Sequence, residues 1–218
     1  MKKVKIKNST KEFTVGKIVC VGRNYAEHAR ELGNEVPKFP IIFLKPPSTL
    51  IYDGDNIFHP SYSNEMHHEV ELVLLIGKSV KNASDEEAEN AIIGYGVGLD
   101  MTLRDLQNEY RKEGNPWTLA KSFDTCAVIS EFVLKEEYKI TGKEEIELLK
   151  NGNIQQKSSI DKMIFPPAEI VKYISERMTL EPGDLIYTGT PQGVSKVEKG
   201  DVLKSRIEHI AEIENIIE

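Results

Sequence analysis

The chain has 218 residues, of which 39% are hydrophobic and 29% charged, a composition typical of soluble globular proteins. Its formal net charge of −7 argues against a nucleic-acid-binding protein, which needs a basic face to neutralise phosphates. The chain contains no run of about 18 apolar residues that could span a membrane. No apolar segment follows the basic N-terminus, so no signal peptide is evident and we expect a cytoplasmic protein.

The chain shows no internal repeat, low-complexity tract or long linker, so we expect one domain over residues 1–218, with residues 1–16 as a short extension. The two cysteines, Cys20 and Cys126, form neither a metal-type pair nor a disulfide framework. Both lie in apolar segments, and we expect them to be reduced core residues.

Short strands dominate the predicted secondary structure. In chain order the predicted strands cover residues 17–22, 41–45, 67–77, 93–101, 145–157 and 184–189, and an alternating C-terminal segment follows. Residues 145–157 are predicted to form a hairpin that turns at Asn151-Gly152. Four helices are predicted. The first is short and ends at Gly33, and the second begins with a capping box at Ser84 and runs through Ala91. The third is capped by Thr102, and the fourth runs from Pro167 to Met178. Because the βαβα rhythm of a doubly wound sheet is missing, the pattern predicts a β-rich α+β fold.

Two glutamates stand two positions apart in the apolar segment HHEVELVLLIG. Strand side chains alternate between faces, so Glu69 and Glu71 share one face with Val73 and Leu75. A solvated face is the simplest interpretation, but two apolar residues on that face weaken it. Two buried carboxylates would repel one another unless a cation neutralised them.

A third carboxylate, Asp100, ends the glycine-rich strand at 93–101 and is a candidate ligand for the same cation. Three carboxylates without a His or Cys cluster suit a hard cation such as Mg²⁺ or Mn²⁺, with Ca²⁺ as an alternative. His67 and His68 adjoin the glutamates, but neighbouring strand residues face opposite ways, so both cannot join the site. Spacing alone leaves the metal site and the solvated face as alternatives.

His28 and Glu31 are three residues apart on the first predicted helix and share one of its faces. A carboxylate beside an imidazole orients the ring and raises its basicity, as a general base requires. The alternative is an incidental pair on a charged surface helix, which spacing alone does not exclude.

Four further polar residues are candidates for the lining of a site. Arg104 and Gln107 lie one turn apart just after Asp100. Lys121 stands in an apolar stretch, where it either pairs with a buried anion or reaches solvent from a strand edge. Thr190 offers a hydroxyl and a backbone N–H in the turn TGTP, although turn formation alone could explain it.

Together these segments closely resemble the fumarylacetoacetate hydrolase family. The resemblance covers nearly the whole chain from about Lys17, and it is carried by GRNYAEHARELG, FLKP, HHEVELVLLIGK, GYGVGLDMTLRDLQ, PWTLAKSFDT, the NGN hairpin, MIF and LEPGDLIYTGTPQGV. The chain is most similar to compact members such as the acylpyruvate hydrolase and oxaloacetate decarboxylase group. The resemblance implies a rolled, mixed β-sheet core and a homodimer.

The resemblance also implies roles for the candidate residues. Glu69, Glu71 and Asp100 match the family's Mg²⁺ or Mn²⁺ ligands; larger members add a carboxylate from near the N-terminus, for which no clear equivalent exists here. The remaining matches are Arg104, Gln107, Lys121 and Thr190 as residues that bind or polarise substrate oxygens, and His28 with Glu31 as the dyad on a short lid helix.

The activity implied by the resemblance is hydrolysis of a C–C bond in an acylpyruvate-like 2,4-dioxo acid, with a metal-stabilised pyruvate enolate and with His28 activating water. Alternatives on the same scaffold are oxaloacetate decarboxylase or tautomerase, and 2-hydroxyhepta-2,4-diene-1,7-dioate isomerase. An alternative from another class is a non-catalytic, metal-stabilised binding protein. That protein would not need the acids together with the dyad, Lys121 and Thr190.

Overall fold

Strands outnumber helices in the computed structural model, which describes residues 1–218. The strands are β1 (Lys3–Lys5), β2 (Glu12–Thr14), β3 (Ile18–Gly22), β4 (Ile41–Lys45), β5 (Leu50–Tyr52), β6 (Met66–His67), β7 (Val70–Ile76), β8 (Ile92–Asp100), β9 (Thr102–Leu103), β10 (Ala127–Ile129), β11 (Val133–Leu134), β12 (Glu145–Lys150), β13 (Asn153–Ser159), β14 (Leu185–Tyr187), β15 (Val202–Ile207) and β16 (Ala211–Ile216). The helices are α1 (Ala26–Glu31), α2 (Asp85–Ala91), α3 (Arg104–Glu113), α4 (Thr118–Lys121) and α5 (Pro167–Arg177). The predicted β-rich α+β fold is confirmed.

A mixed sheet forms the centre of the fold, with the strand order β4-β3-β14-β7-β8-β10-β5. Strand β11 also pairs with β8, next to β10. The pairs β3–β14 and β5–β10 are parallel, and the other neighbours are antiparallel. A second, antiparallel sheet has the order β13-β12-β15-β16, and the residues before 17 form the hairpin β1–β2. Strands β7 and β8 are thus central and are fixed by neighbours on both sides.

Both faces of β7 are buried, and they belong to two different cores. Leu72 and Leu74 pack in the larger hydrophobic cluster, together with residues of the second sheet such as Leu148. Val73 and Leu75 pack in a smaller cluster on the opposite face. Strand alternation therefore acts as predicted, and the apolar residues on the face shared with the glutamates are core residues.

Several local predictions agree with the structure. The capping box forms at Ser84, whose hydroxyl accepts from the Glu87 N–H while the Glu87 carboxylate accepts from the Ser84 N–H. The hairpin turns at Asn151-Gly152 between β12 and β13. Both cysteines are free and buried. No helix has both the length and the apolar character that crossing a membrane requires.

The predicted cap of α3 is wrong. The residue at the N-cap position is Leu103, and Thr102 lies in the short strand β9. The Thr102 hydroxyl donates to the Asp100 carbonyl at 3.1 Å and accepts from Lys121 Nζ at 2.5 Å, so it is not available to the helix N-terminus. The Thr102 hydroxyl, which the sequence pattern assigned to helix capping, instead accepts a hydrogen bond from the buried ammonium group of Lys121.

Candidate active site and metal centre

The three predicted metal ligands meet where β7 begins and β8 ends. Glu71 pairs with Gly98 across the two strands, and the Asp100 N–H donates to the Glu69 carbonyl at 2.9 Å. This register places all three carboxylates on one face, and one oxygen from each lies within 4.8 Å of the others. All three side chains are buried.

Three cationic side chains surround these acids. Lys121 Nζ donates to Glu69 Oε2 at 2.8 Å and to Asp100 Oδ2 at 2.7 Å. Arg104 forms an ion pair with Glu69, and Lys45 Nζ lies 2.7 Å from Asp100 Oδ1. Burial alone would raise the pKa of Glu69, but the charges of Lys121 and Arg104 outweigh it and hold that pKa below its usual range.

Glu71 is the one member of the three without a cationic partner; its Oε2 accepts only the Gly189 N–H, at 2.7 Å. Burial, and then the charges of Asp100 and Glu69, raise the pKa of Glu71 well above the ordinary value. Asp100 Oδ1 is buried, and Lys45 Nζ, at 2.7 Å, is its ion-pair partner. The uncompensated Glu71 carboxylate, next to two further buried carboxylates, fits a divalent cation coordinated by these side chains.

The predicted dyad also forms. His28 is buried, and its Nδ1 lies 3.3 Å from Glu31 Oε2. The half-exposed Glu31 carboxylate accepts the Gly193 N–H at 3.0 and 3.2 Å, which fastens α1 to the turn after β14. The His28 Nε2 makes no hydrogen bond within the protein, so the second ring nitrogen is free to contact a bound molecule.

The other predicted residues reach the same place by different contacts. Arg104 Nη1 donates to Gln107 Oε1 at 2.5 Å while its other arm pairs with Glu69. The Thr190 hydroxyl is fully used, since it donates to the Val70 carbonyl at 2.8 Å and accepts from Gln156 at 2.7 Å. The Thr190 backbone N–H has no partner in the protein, so this N–H is the group that the turn can offer to a ligand.

One cavity of about 320 Å³ joins these groups. It is lined by every predicted site residue except Glu31: Glu69, Glu71, Asp100, His28, Arg104, Gln107, Lys121 and Thr190. Its volume lies at the lower end of the range found for small-molecule sites. His67 and His68 do not line it, because His67 contacts Glu65 and His68 lies between Gln156 and Ser195.

Sequence reasoning missed two residues that support this site. Lys45 is fully buried and contacts Asp100; the signal that singled out Lys121, a lysine within an apolar run, was equally present around Lys45. Gln156 joins Thr190, Val70 and His68 by its amide group. It lies on a half-polar hairpin strand, where a glutamine carries no such signal.

Comparisons with known proteins agree on one family. The family model described as fumarylacetoacetate (FAA) hydrolase C-terminal matches residues 17–218. The oxaloacetate decarboxylase of Dictyostelium discoideum is 45% identical to this chain, and the match covers 88% of this chain and 88% of that protein. The oxaloacetate tautomerase of Bos taurus is 43% identical, and the match covers 87% of this chain and 86% of that protein. A crystal structure of fumarylpyruvate hydrolase from Pseudomonas aeruginosa, in complex with Mn²⁺ and pyruvate, is 38% identical with a TM-score of 0.96, covering 99% of this chain and 95% of that chain. The chain belongs to the fumarylacetoacetate hydrolase family.

Proposed function

We propose that the protein is a hydrolase that cleaves a C–C bond in a short acylpyruvate, a 2,4-dioxo acid, with Mg²⁺ or Mn²⁺ as its cofactor. The observation that carries this proposal is the shared cavity, which brings three buried carboxylates together with His28, the member of the dyad that Glu31 contacts. The similar hydrolase structure from Pseudomonas aeruginosa, which contains Mn²⁺ and pyruvate, supports it.

Glu69, Glu71 and Asp100 are the residues that would hold the cation, through oxygen atoms that lie within 4.8 Å of one another. A bound divalent cation would supply Lewis-acid polarisation of a carbonyl group of the 2-oxo acid. Arg104 and Lys121 keep Glu69 ionised and oriented by pairing with it, so they preserve the ligand set. Lys121 also donates to Asp100, and this bond fixes a second carboxylate.

Water activation is the role that the geometry supports for His28. Glu31 contacts Nδ1 and is itself held by the Gly193 N–H, so the ring has a fixed orientation with Nε2 free for a proton. His28 would take one proton from water while the water oxygen bonds to the distal carbonyl carbon. The bond from that carbon to the neighbouring methylene then breaks, and the methylene carbon takes the proton, which yields a carboxylic acid and pyruvate.

The decisive experiment is a substrate panel with the purified protein. Acetylpyruvate, fumarylpyruvate and oxaloacetate should each be assayed with Mg²⁺, with Mn²⁺ and with EDTA. We expect metal-dependent hydrolysis of at least one acylpyruvate, with its loss in EDTA. If none of the three compounds is converted in a metal-dependent way, the proposed function is wrong.

Decarboxylation or tautomerisation of oxaloacetate is the second candidate, favoured by the names of relatives that are 43% and 45% identical to this chain. It would use the same acids but no attacking water, and the isomerase alternative likewise needs no water. The variant His28→Ala should lower acylpyruvate hydrolysis by about 10²- to 10⁴-fold and spare oxaloacetate decarboxylation. Glu27→Gln, on the exposed side of α1, is the control. Equal losses of both activities would contradict water activation by His28.

We further propose that the chain forms a homodimer through the exposed edge of the central sheet. Strand β4 is the edge strand, α4 packs against it, and large apolar side chains are exposed there: Phe39, Leu44 and Leu119. Light scattering should give twice the mass of the chain, and Leu119→Lys should give a monomer. Ile154→Lys, at an exposed apolar residue of β13, is the control. A cytosolic location remains a prediction from the sequence.

A further inference from the structure

The buried acids of the cavity are matched in number by buried cations. The acids are Glu69, Glu71 and Asp100, and the cations in contact with two of them are Lys45, Lys121 and Arg104. Three carboxylates and three cations give this cluster a formal charge of zero before any metal ion binds. No other acid lines the cavity. A divalent cation would therefore bring two positive charges into a buried cluster that has no excess negative charge to neutralise them.

Lys45 is the one of these cations that a bound molecule cannot reach. It ends β4, its side chain is fully buried, and it does not line the cavity. Its Nζ lies 2.7 Å from Asp100 Oδ1 and donates to the carbonyls of Met101 and Cys126, each at 3.2 Å. The Lys121 carbonyl is a further acceptor. Because oxygen acceptors surround the nitrogen and no donor faces it, the group that fits this position is the ammonium ion, with a fixed positive charge.

Lys121 and Arg104 differ from Lys45 because both line the cavity. An anion that enters the cavity can contact these two cations and neutralise them directly. Lys45 keeps its position beside Asp100 whatever the cavity contains, and its charge repels any cation bound to that carboxylate. Such repulsion is much stronger in a protein interior than in water. A metal ion that binds alone meets this repulsion in full, whereas an ion that binds together with an anion brings a smaller net charge.

We propose that Lys45 couples metal binding to anion binding in this cavity. Its charge lowers the affinity of the three carboxylates for a divalent cation alone, and the anion of a 2-oxo acid bound beside the ion offsets that loss. The ion and the 2-oxo acid then raise the affinity of the protein for one another by the same factor. This inference rests on the metal site of the proposed function and adds to it a condition under which that site fills.

The first test needs no variant. Calorimetry measures Mn²⁺ binding to the wild-type protein with and without saturating pyruvate, a 2-oxo acid that has no acyl arm to be cleaved. We expect Mn²⁺ to bind at least about 10-fold more tightly with pyruvate, and pyruvate to bind more tightly with Mn²⁺ by the same factor. Equal Mn²⁺ affinities with and without pyruvate would overturn the inference.

The second test removes the charge of Lys45. Lys45→Gln keeps an amide that can donate to the carbonyls, and Mn²⁺ alone should bind to this variant at least about 10-fold more tightly than to the wild-type protein. The gain from pyruvate should shrink accordingly. A residue that only supported the fold would have the opposite effect, because Asp100 would lose a partner that holds it in place and Mn²⁺ binding would weaken. Lys45→Met, which removes the charge and the donors together, should change Mn²⁺ affinity in the same direction as Lys45→Gln.

Lys172→Gln, in an exposed ion pair with Asp85, is the control and should keep both wild-type affinities. Thermal unfolding in EDTA checks that each variant is folded, and the wild-type comparison applies whether or not the Lys45 variants fold. Weaker or unchanged binding of Mn²⁺ alone to Lys45→Gln would contradict the role of Lys45. A full wild-type gain from pyruvate in that variant would assign the coupling to direct contact between pyruvate and the ion, and would likewise overturn the inference.

These measurements separate the inference from the proposed function. If neither acylpyruvate is hydrolysed, the proposed function fails, but the coupling is supported if Mn²⁺ affinity depends on pyruvate and on Lys45. If an acylpyruvate is hydrolysed while Mn²⁺ binds equally with and without pyruvate, the proposed function is supported and the coupling is wrong. Absence of Mn²⁺ binding under both conditions would overturn the inference together with the Mn²⁺ site on which it rests.

Discussion

Gln156 Nε2 donates a hydrogen bond of 2.7 Å to Thr190 Oγ1, and this bond links the second sheet to the turn beside the buried acids. The same amide group donates to the Pro191 carbonyl at 2.8 Å and accepts the Val70 N–H at 3.1 Å. Val70, the first residue of β7, lies between Glu69 and Glu71. Gln156 therefore positions both the turn and the start of the strand that carries the candidate ligands.

The variant Gln156→Leu should destabilise the protein because it leaves the buried Val70 N–H and the Thr190 hydroxyl short of a partner. Each unsatisfied buried group costs about 1–3 kcal/mol, so we expect the free energy of unfolding to fall by about 2–4 kcal/mol. Urea unfolding measures this change, and Gln155→Leu, at a half-buried neighbour with contacts of 3.2 Å or longer, is the control. Equal stability of the two variants would contradict the role of Gln156.

A second prediction concerns the metal. Mn²⁺ should raise the Tm of the wild-type protein, because a ligand of the folded state adds about 2.7 kcal/mol at 100 times its Kd. Glu71→Gln keeps an acceptor for the Gly189 N–H but loses the charge, so this rise should be largely lost. Without metal the variant should be at least as stable as the wild-type protein, because repulsion from Asp100 and Glu69 is removed.

Thermal unfolding with Mn²⁺ and with EDTA measures both effects. Glu65→Gln, which removes an exposed carboxylate outside the three ligands, is the control and should keep the wild-type response to Mn²⁺. A Glu71→Gln protein that shows the full rise in Tm would show that Glu71 is not a ligand.

The shared face of Glu69 and Glu71 could be predicted from the sequence because alternation along a strand is a local property. The position of Asp100 beside them depends on the register between β7 and β8, which the spacing of residues does not encode. The resemblance to a family supplied that step. The roles of Lys45 and Gln156 were missed because their partners lie far along the chain, 88 residues away in the contact between Gln156 and His68.

A third prediction is a pH dependence of stability that originates in Glu144. This buried carboxylate accepts hydrogen bonds from the Tyr138 hydroxyl, from Thr141 and from the Gly142 N–H. Burial alone would raise the pKa of Glu144, but these hydrogen bonds outweigh it and hold the pKa below its ordinary value. The stabilisation by Glu144 is therefore complete above the unfolded pKa of about 4.3 and is lost as the pH falls through the folded pKa.

Glu144→Gln should accordingly be less stable than the wild-type protein at neutral pH, and the difference should shrink in acid. Urea unfolding at about pH 7 and about pH 3.5, in EDTA, measures this difference on either side of the unfolded pKa. Glu136→Gln, at an exposed carboxylate in the preceding turn, should show no such change between the two pH values. A difference for Glu144→Gln that is the same at both pH values would contradict the assignment.

The last prediction concerns Gly98, which lies opposite Glu71 in the centre of the sheet. A Cβ atom at this position would lie 2.6 Å from the Val128 carbonyl oxygen, 2.7 Å from Tyr187 Cε1 and 2.8 Å from Val73 Cγ2. The close backbone approach expected of a glycine-rich strand is therefore present, and the carbonyl cannot move aside as a flexible side chain could.

Gly98→Ala should lower the free energy of unfolding by about 1–3 kcal/mol, the usual cost of overpacking a core. Since a shift of β8 also displaces the end of that strand, Mn²⁺ affinity measured by calorimetry should fall in the same variant. Gly22→Ala is the control in this sheet, because a Cβ atom there would lie no closer than 3.6 Å to any neighbour. If Gly98→Ala retained both the stability and the Mn²⁺ affinity of the wild-type protein, the tight packing of β8 would not be what holds the candidate ligands in place.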